Sequence, residues 1–142
     1  MNFLGYSLID VKNAMDESML MSVDVSHAYH PNYGGKYDVT NRHVMNKGFA
    51  IKEACSQSYA TDCEAISIVQ QICDKEGIAY QKFAKHSDSA GGGTLGCISS
   101  AVLPVRTVDI GVPLWGMHSS RETMGVKDYE ALVAYMKAYY SL

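Results

Sequence analysis

The run VRTVDIGV, Val105–Val112, limits the fold more than any other part of this chain. It is rich in β-branched residues and compact, so it reads as a strand buried on both faces. A strand of that kind needs helices above and below it, and the neighbouring patterns supply them. MLMSVDV (Met19–Val25), GFAIKEA (Gly48–Ala54) and IAYQKFAK (Ile78–Lys85) read as further strands. Between them, DCEAISIVQQICDKEG is the best-defined helix: Thr61 or Asp62 caps its start, Ala65, Ile68, Val69 and Ile72 form its apolar face, and Gly77 ends it. TLGCISSAVL reads as a short helix that stops before Pro104. DYEALVAYMKAYY, opened by Asp128, reads as an amphipathic helix with Leu132, Val133, Met136 and Tyr140 on one side. A weaker helical pattern covers Asn2 to Glu17, with Leu4, Leu8, Val11 and Met15 in phase. Strands and helices alternate, so the expected class is α/β with a mostly parallel central sheet.

Size and charge narrow the function. With 142 residues, 47% of them hydrophobic, the chain can bury one real core, and a single domain over 1–142 is expected. A formal charge of −3 with scattered Lys and Arg offers no basic stripe, so nucleic acid is not an expected partner. No apolar run approaches the length of a membrane span and no signal-peptide pattern opens the chain, so the expected location is cytoplasmic, with no membrane partner. Cys55, Cys63, Cys73 and Cys97 match neither a metal knuckle nor a disulfide framework, and most read as buried thiols.

The candidate chemistry lies where apolar runs give way to polar clusters. SVDVSHAYHPNY places Asp24 in an apolar strand, where a carboxylate is costly unless a cation or donor network receives it. Asp24 therefore either serves a site or caps a loop. His27 and His30 are three apart, but Pro31 prevents the regular helix an HxxH metal pair requires, and either histidine alone can be a hydrogen-bonded structural group. His118, in MHSSRE, is either a zinc ligand or a loop histidine paired with Glu122. Lys52 reads as a site residue or an edge-strand gatekeeper, and Tyr59 as a site residue or surface packing. GGGTLG fits GxGxxG at Gly91, Gly93 and Gly96, with Asp109 on the next strand. The polar HSDSA interrupts the strand-to-glycine junction a dinucleotide site needs, so an active-site loop offering backbone N–H groups is the better reading.

Four segments in one order, SVDVSHAYHPNY, IKEACSQSYATDCE, SDSAGGGTLG and VDIGVPLWGMHSSRE, resemble the C-terminal part of the aspartyl aminopeptidase family. These are dinuclear zinc enzymes that remove N-terminal, often acidic, residues from peptides. The likeness runs from about Met21 to the C-terminus. It implies a three-layer α/β catalytic domain of which this chain is the C-terminal portion. By the resemblance Asp24 ligates one zinc and His118 the other. Tyr59 supports the developing oxyanion, and Lys52 faces the acidic side chain of the substrate's first residue. His30 lies near the catalytic centre, His27 shapes its loop, and Gly92 belongs to the substrate-binding loop. The implied cofactor is a pair of zinc ions per complete site, and the implied substrate a peptide with an acidic first residue.

The departures shape the expectation further. Ser58 stands where an arginine is common, and Gly91 and Gly93 where Cys and Ser are frequent. In the family, the first zinc-binding histidine, the bridging aspartate and a Glu-Glu pair precede these motifs, and none of those segments is in this sequence. The expectation is half a site, doubtful activity for the chain alone, and association into a homo-oligomer or with a complementary upstream fragment. A non-catalytic α/β interaction module with the same scaffold is the alternative.

Overall fold

Val105–Val112 does become the centre of the sheet, in a computed structural model that describes residues 5–88 and 91–142. In chain order the elements are α1 (Leu8–Asp16), β1 (Met19–His27), a 3₁₀ turn (Pro31–Lys36), β2 (Phe49–Glu53), α2 (Cys63–Glu76), β3 (Tyr80–Ala84), α3 (Leu95–Val102), β4 (Arg106–Trp115), β5 (Thr123–Met124) and α4 (Val126–Tyr139). The strand order is β1-β4-β2-β3, with β5 paired to the far end of β4. Parallel ladders join β1 to β4, from Met19↔Arg106 to His27↔Leu114, and β2 to β3, from Phe49↔Tyr80 to Glu53↔Ala84. One short antiparallel junction, Ala50↔Gly111 and Ile51↔Ile110, connects the two halves. The sheet is thus mostly parallel, as expected, but β2 and β3 run against β1 and β4.

Period-two alternation along β4 sorts the layers. Val108, Ile110 and Val112 face α2 and α4 and join Phe49, Val69 and Tyr135 in the core. On the other face, α3 packs through Gly96, whose N–H donates to Ser22 Oγ at 3.1 Å and which sits against Asp109. Helices on both faces make the three layers.

Local chemistry sets the boundaries. Asp62, rather than Thr61, caps α2: its Oδ1 accepts the Ala65 N–H at 2.7 Å, and Gly77 closes the helix in the left-handed region at φ 66°. In α1, Ser7 and Asp10 form a capping box, so this helix starts later than its apolar pattern suggests, while Leu4 lies outside the described residues. The last helix is rotated relative to the expected face. Leu132 and Tyr135 reach the core, whereas Tyr140 is exposed. Asp128 does not cap it either. Its fully buried carboxylate instead accepts the Asn46 N–H at 2.6 Å and the Gly48 N–H at 2.7 Å, clamping the turn that leads into β2. That turn requires Gly48, since φ is 104° and a Cβ would lie 2.2 Å from the Ala79 carbonyl oxygen. Of the four cysteines only Cys73 is buried, and Cys55 and Cys63 are exposed, contrary to the reading of most as buried thiols.

Asp128→Ala leaves the buried Gly48 N–H and the more exposed Asn46 N–H without their acceptor and should lower unfolding stability by about 2–3 kcal/mol in urea titrations. Asp128→Asn, which keeps one acceptor oxygen, should lose about half of that.

Candidate active site

The cleft opens on the sheet face that carries α3, beyond the start of that helix. It encloses about 470 Å³, and its lining includes Asp24, Lys52, Tyr59, Gly92 and His118. Five residues singled out from the sequence therefore meet in one concavity. His30 does not line it. Its ring packs between Tyr33 and Trp115 at centroid distances of 5.2 and 5.3 Å, and its Nδ1 accepts the Asn32 N–H at 3.3 Å to start the 3₁₀ turn. The cleft instead contains His27, the histidine first read as only shaping the loop. Register explains the difference, because His27 is the last residue of β1 and stays on the sheet while His30 has already turned away.

Asp24 and Lys52 form the electrostatic centre. Both lie on the α3 side of the sheet, on strands that flank β4. Lys52 is 2% exposed, and its Nζ reaches across to donate to Asp24 Oδ2 at 3.2 Å and to the Val25 carbonyl at 2.9 Å. Gly111 is the register partner of Asp24 on one side and of Ala50 on the other, and a Cβ there would stand 2.6 Å from the Asp24 carbonyl oxygen, so glycine permits β1 to come this close. Burial would raise the Asp24 carboxyl, but the Val25 N–H, Lys52 and His118 outweigh it and hold the group below the usual carboxylate range. The Asp24 side chain remains half exposed, so one face of the carboxylate is open to the cleft.

Tyr59 sits over the ammonium, with Lys52 Nζ 5.3 Å from its ring centroid. Burial, then the charges of Asp109 and Asp24, raise its phenol above the ordinary value, so it stays protonated and able to donate. His118 is placed by an unusual backbone. Its φ is 68°, and its N–H donates to Glu122 Oε1 at 2.6 Å. The Glu122 contact anticipated from spacing thus uses the main chain and leaves the imidazole to the cleft. His27 is held below the usual imidazole value by burial and by the cationic forms of His118, Lys52 and Lys36.

No sequence pattern points to His43. It is 1% exposed, its Nε2 lies 2.9 Å from Ser26 Oγ, and its ring is 4.5 Å from that of Phe83, so it packs behind two residues of the cleft lining. Burial, reinforced by His27 and Lys52, pushes it down to about 4. Nothing in the polar stretch from Pro31 to Lys47 distinguishes it from a solvated loop histidine.

The nucleotide reading fails on geometry. Gly91 and Gly93 do line the cleft, but Asp109, which would have to take a ribose hydroxyl, is fully buried beneath Gly96. Metal chemistry has a partial basis. A carboxylate and an imidazole in one cleft suit zinc as donors, yet among the described residues no three His, Cys, Asp or Glu side chains are grouped to hold an ion, and a catalytic zinc takes three protein ligands. These residues alone do not make a complete centre. Among the described residues no helix is long and apolar enough to cross a membrane.

Titratable and hydrogen-bonding groups converge on one concavity of a three-layer α/β fold, an arrangement common among α/β enzymes. Comparison with known proteins supplies the family. The aminopeptidase I zinc metalloprotease (M18) family matches residues 2–140. A probable M18 family aminopeptidase 2 from Clostridium novyi is 46% identical over 133 residues, which is 94% of this chain and 31% of the relative. Among solved structures, the cryo-EM structure of the Ape4 and Nbr1 complex superposes with a TM-score of 0.92 at 34% identity, covering 96% of this chain and 26% of that one. The S. cerevisiae mApe1 dodecamer superposes with a TM-score of 0.79 at 27% identity, covering 93% and 28%. The chain belongs to the M18 aminopeptidase family, a family of hydrolases, and spans about a third of the length of the curated relatives it matches.

The low value of His43 has a sign that can be checked. An imidazole whose folded pKa is depressed contributes stability above its unfolded value of about 6.5, and loses it as pH falls toward 4, because only the unfolded chain takes up the proton. His43→Gln should flatten the pH dependence of unfolding free energy between pH 7 and pH 4.5 relative to the unaltered chain, removing a slope worth roughly 2–3 kcal/mol.

Proposed function

We propose that this chain forms part of a metallo-aminopeptidase active site that releases N-terminal, preferentially acidic, residues from peptides. The carrying observation is the convergence of Asp24, Lys52, Tyr59, Gly92 and His118 on one cleft. In this reading residues 1–142 are the C-terminal part of one catalytic domain. Asp24 and His118 each donate to a different zinc of a pair, and the remaining ligands and the general base come from outside these residues. Bound zinc would supply Lewis acidity and an activated water. The chain's own contribution is positional. Tyr59 donates its protonated hydroxyl to the oxyanion, and the glycine loop at Gly92 offers backbone to the peptide. Lys52 orients Asp24 and places a positive charge where an acidic side chain would bind. His30 acts at one remove, by holding the turn beside Trp115.

Two further readings accompany this one. The free thiols suit a reducing, cytoplasmic location. Self-association is supported by exposed apolar side chains on α1 and α3, including Leu8, Ile9, Leu95 and Ile98, and by the dodecameric state of the mApe1 relative. The rival reading, a non-catalytic interaction module, draws on the absence of a three-donor cluster among the described residues.

A chimera in which the Clostridium novyi relative supplies the remaining two thirds separates the two. It should hydrolyse aspartyl and glutamyl arylamides when supplied with zinc, and Asp24→Asn or His118→Gln should each reduce kcat/KM more than about 100-fold. A zinc-loaded, folded chimera that cleaves no arylamide would favour the module. Within the active chimera, Lys52→Met should reduce turnover of acidic substrates by roughly 10- to 100-fold more than of a leucyl arylamide. Equal losses on both would confine Lys52 to orienting Asp24.

A further inference from the structure

The loop carrying Tyr59 leaves β2 after Glu53 and reaches α2 at Asp62, with no regular structure between. A tyrosine on such a loop needs something to fix its direction. Gln57 already adopts a left-handed backbone at φ 59°, and among the described residues its carbonyl receives only a thiol, Cys97 Sγ at 3.2 Å. The firm ties lie on the other side of Tyr59, and both come from one residue of β4. Asp109 Oδ2 accepts the Ala60 N–H at 2.7 Å, and the Asp109 N–H donates to Thr61 Oγ1 at 2.9 Å.

Asp109 is a costly residue for a merely mechanical tie. It is fully buried, Gly96 presses against it so closely that a Cβ there would lie 2.6 Å from Oδ1, and that oxygen has no hydrogen-bond partner among the described residues. A buried carboxylate with one oxygen unsatisfied weakens the fold. The glycine at position 96 and the ties to Ala60 and Thr61 place it directly behind the tyrosine all the same. We propose that Asp109 is the positioning residue for Tyr59, fixing the phenol's approach to the cleft through the two residues that follow it. This rests on the role given to Tyr59 above.

The charge of Asp109 adds to the geometry. After burial, it is the next cause that raises the Tyr59 phenol, ahead of Asp24. Lys52 also faces the ring and is itself paired with Asp24. A phenol that must donate toward an oxyanion is thereby kept protonated by a carboxylate that never enters the cleft: Asp109 is absent from its lining.

The test needs no peptide hydrolysis and uses the chain itself. Tyrosine labelled at ¹³Cζ, with Tyr59→Phe to assign the signal, reports the phenol titration by NMR, and residue-resolved hydrogen exchange reports the Ala60 amide. In Asp109→Asn the amide oxygen can still receive Ala60, so protection should persist while the Tyr59 titration midpoint moves down. In Asp109→Ala the Ala60 amide should exchange at least roughly tenfold faster. A Tyr59 midpoint unmoved by Asp109→Asn, or Ala60 protection unmoved by Asp109→Ala, overturns the assignment. Should neither variant fold, Thr61→Val removes one tie and leaves the charge: faster Ala60 exchange supports the proposal, and unchanged exchange refutes it. If the chimera proves inactive while these shifts occur, the aminopeptidase reading fails and the positioning of Tyr59 stands.

Discussion

Lys52 puts a positive charge where water scarcely reaches, and the arrangement of the cleft follows from how that charge is received. Removing an ammonium from water costs several kcal/mol unless oxygen ligands replace its hydration. Here they are the Asp24 carboxylate and the Val25 carbonyl, with the Tyr59 ring above. Three separate pieces of chain, β1, β2 and the Tyr59 loop, are therefore held in mutual register by one side chain. Burial is the main cause that lowers the proton affinity of His27 and His43, and the same charge adds to it. Neutral imidazole is the form that binds metal or accepts a hydrogen bond.

The antiparallel junction between β2 and β4 makes this contact possible, and it was not legible in the sequence. Alternating strand and helix patterns point to parallel pairing, and in the two long ladders they are right. Nothing in GFAIKEA, however, reveals that it meets β4 head to tail over only two residue pairs. That reversal lets the Lys52 side chain, late in β2, reach across β4 to Asp24. Legibility tracks locality. The cap and stop of α2 are readable because Asp62 and Gly77 act on their own helix. Asp128 was misread because the groups it serves, Asn46 and Gly48, lie about eighty residues away. The face of α4 was misjudged because Tyr135 and Tyr140 are equally apolar by composition, and only the position of Phe49 decides which is buried.

The site residues divide in the same way. The motif order identified Asp24, Tyr59, Gly92 and His118 as a set, and the fold brings all four into the cleft. The choice between His27 and His30 turned on where β1 ends, a boundary of one or two residues that pattern reading does not resolve. His43 carried no signal and Asp109 only a misleading one, as the acid of a dinucleotide pattern, because their importance lies in what they lack. One is a histidine whose buried Nδ1, the other a carboxylate whose buried Oδ1, has no partner among the described residues. Unsatisfied groups are a property of the packed state alone.

The position of β1 bears on how such a site could be completed. It is the outermost strand of the sheet, nine residues long, paired only to β4 among the described residues, and it carries Asp24. Beside it, Val23, Leu132, Val133, Met136 and Tyr140 line an open apolar groove. A long edge strand flanked by apolar surface is a template for a further strand and a liability for a protein left without one. In the proposed two-metal reading, groups that share a metal with Asp24 must approach from the side of the carboxylate that Lys52 does not occupy. The half-exposed Asp24 side chain leaves that side open. Chain that covered the β1 edge would thus satisfy the strand's backbone groups and lie on the side from which the missing donors must come, so completion of the sheet and completion of the metal centre would be a single event.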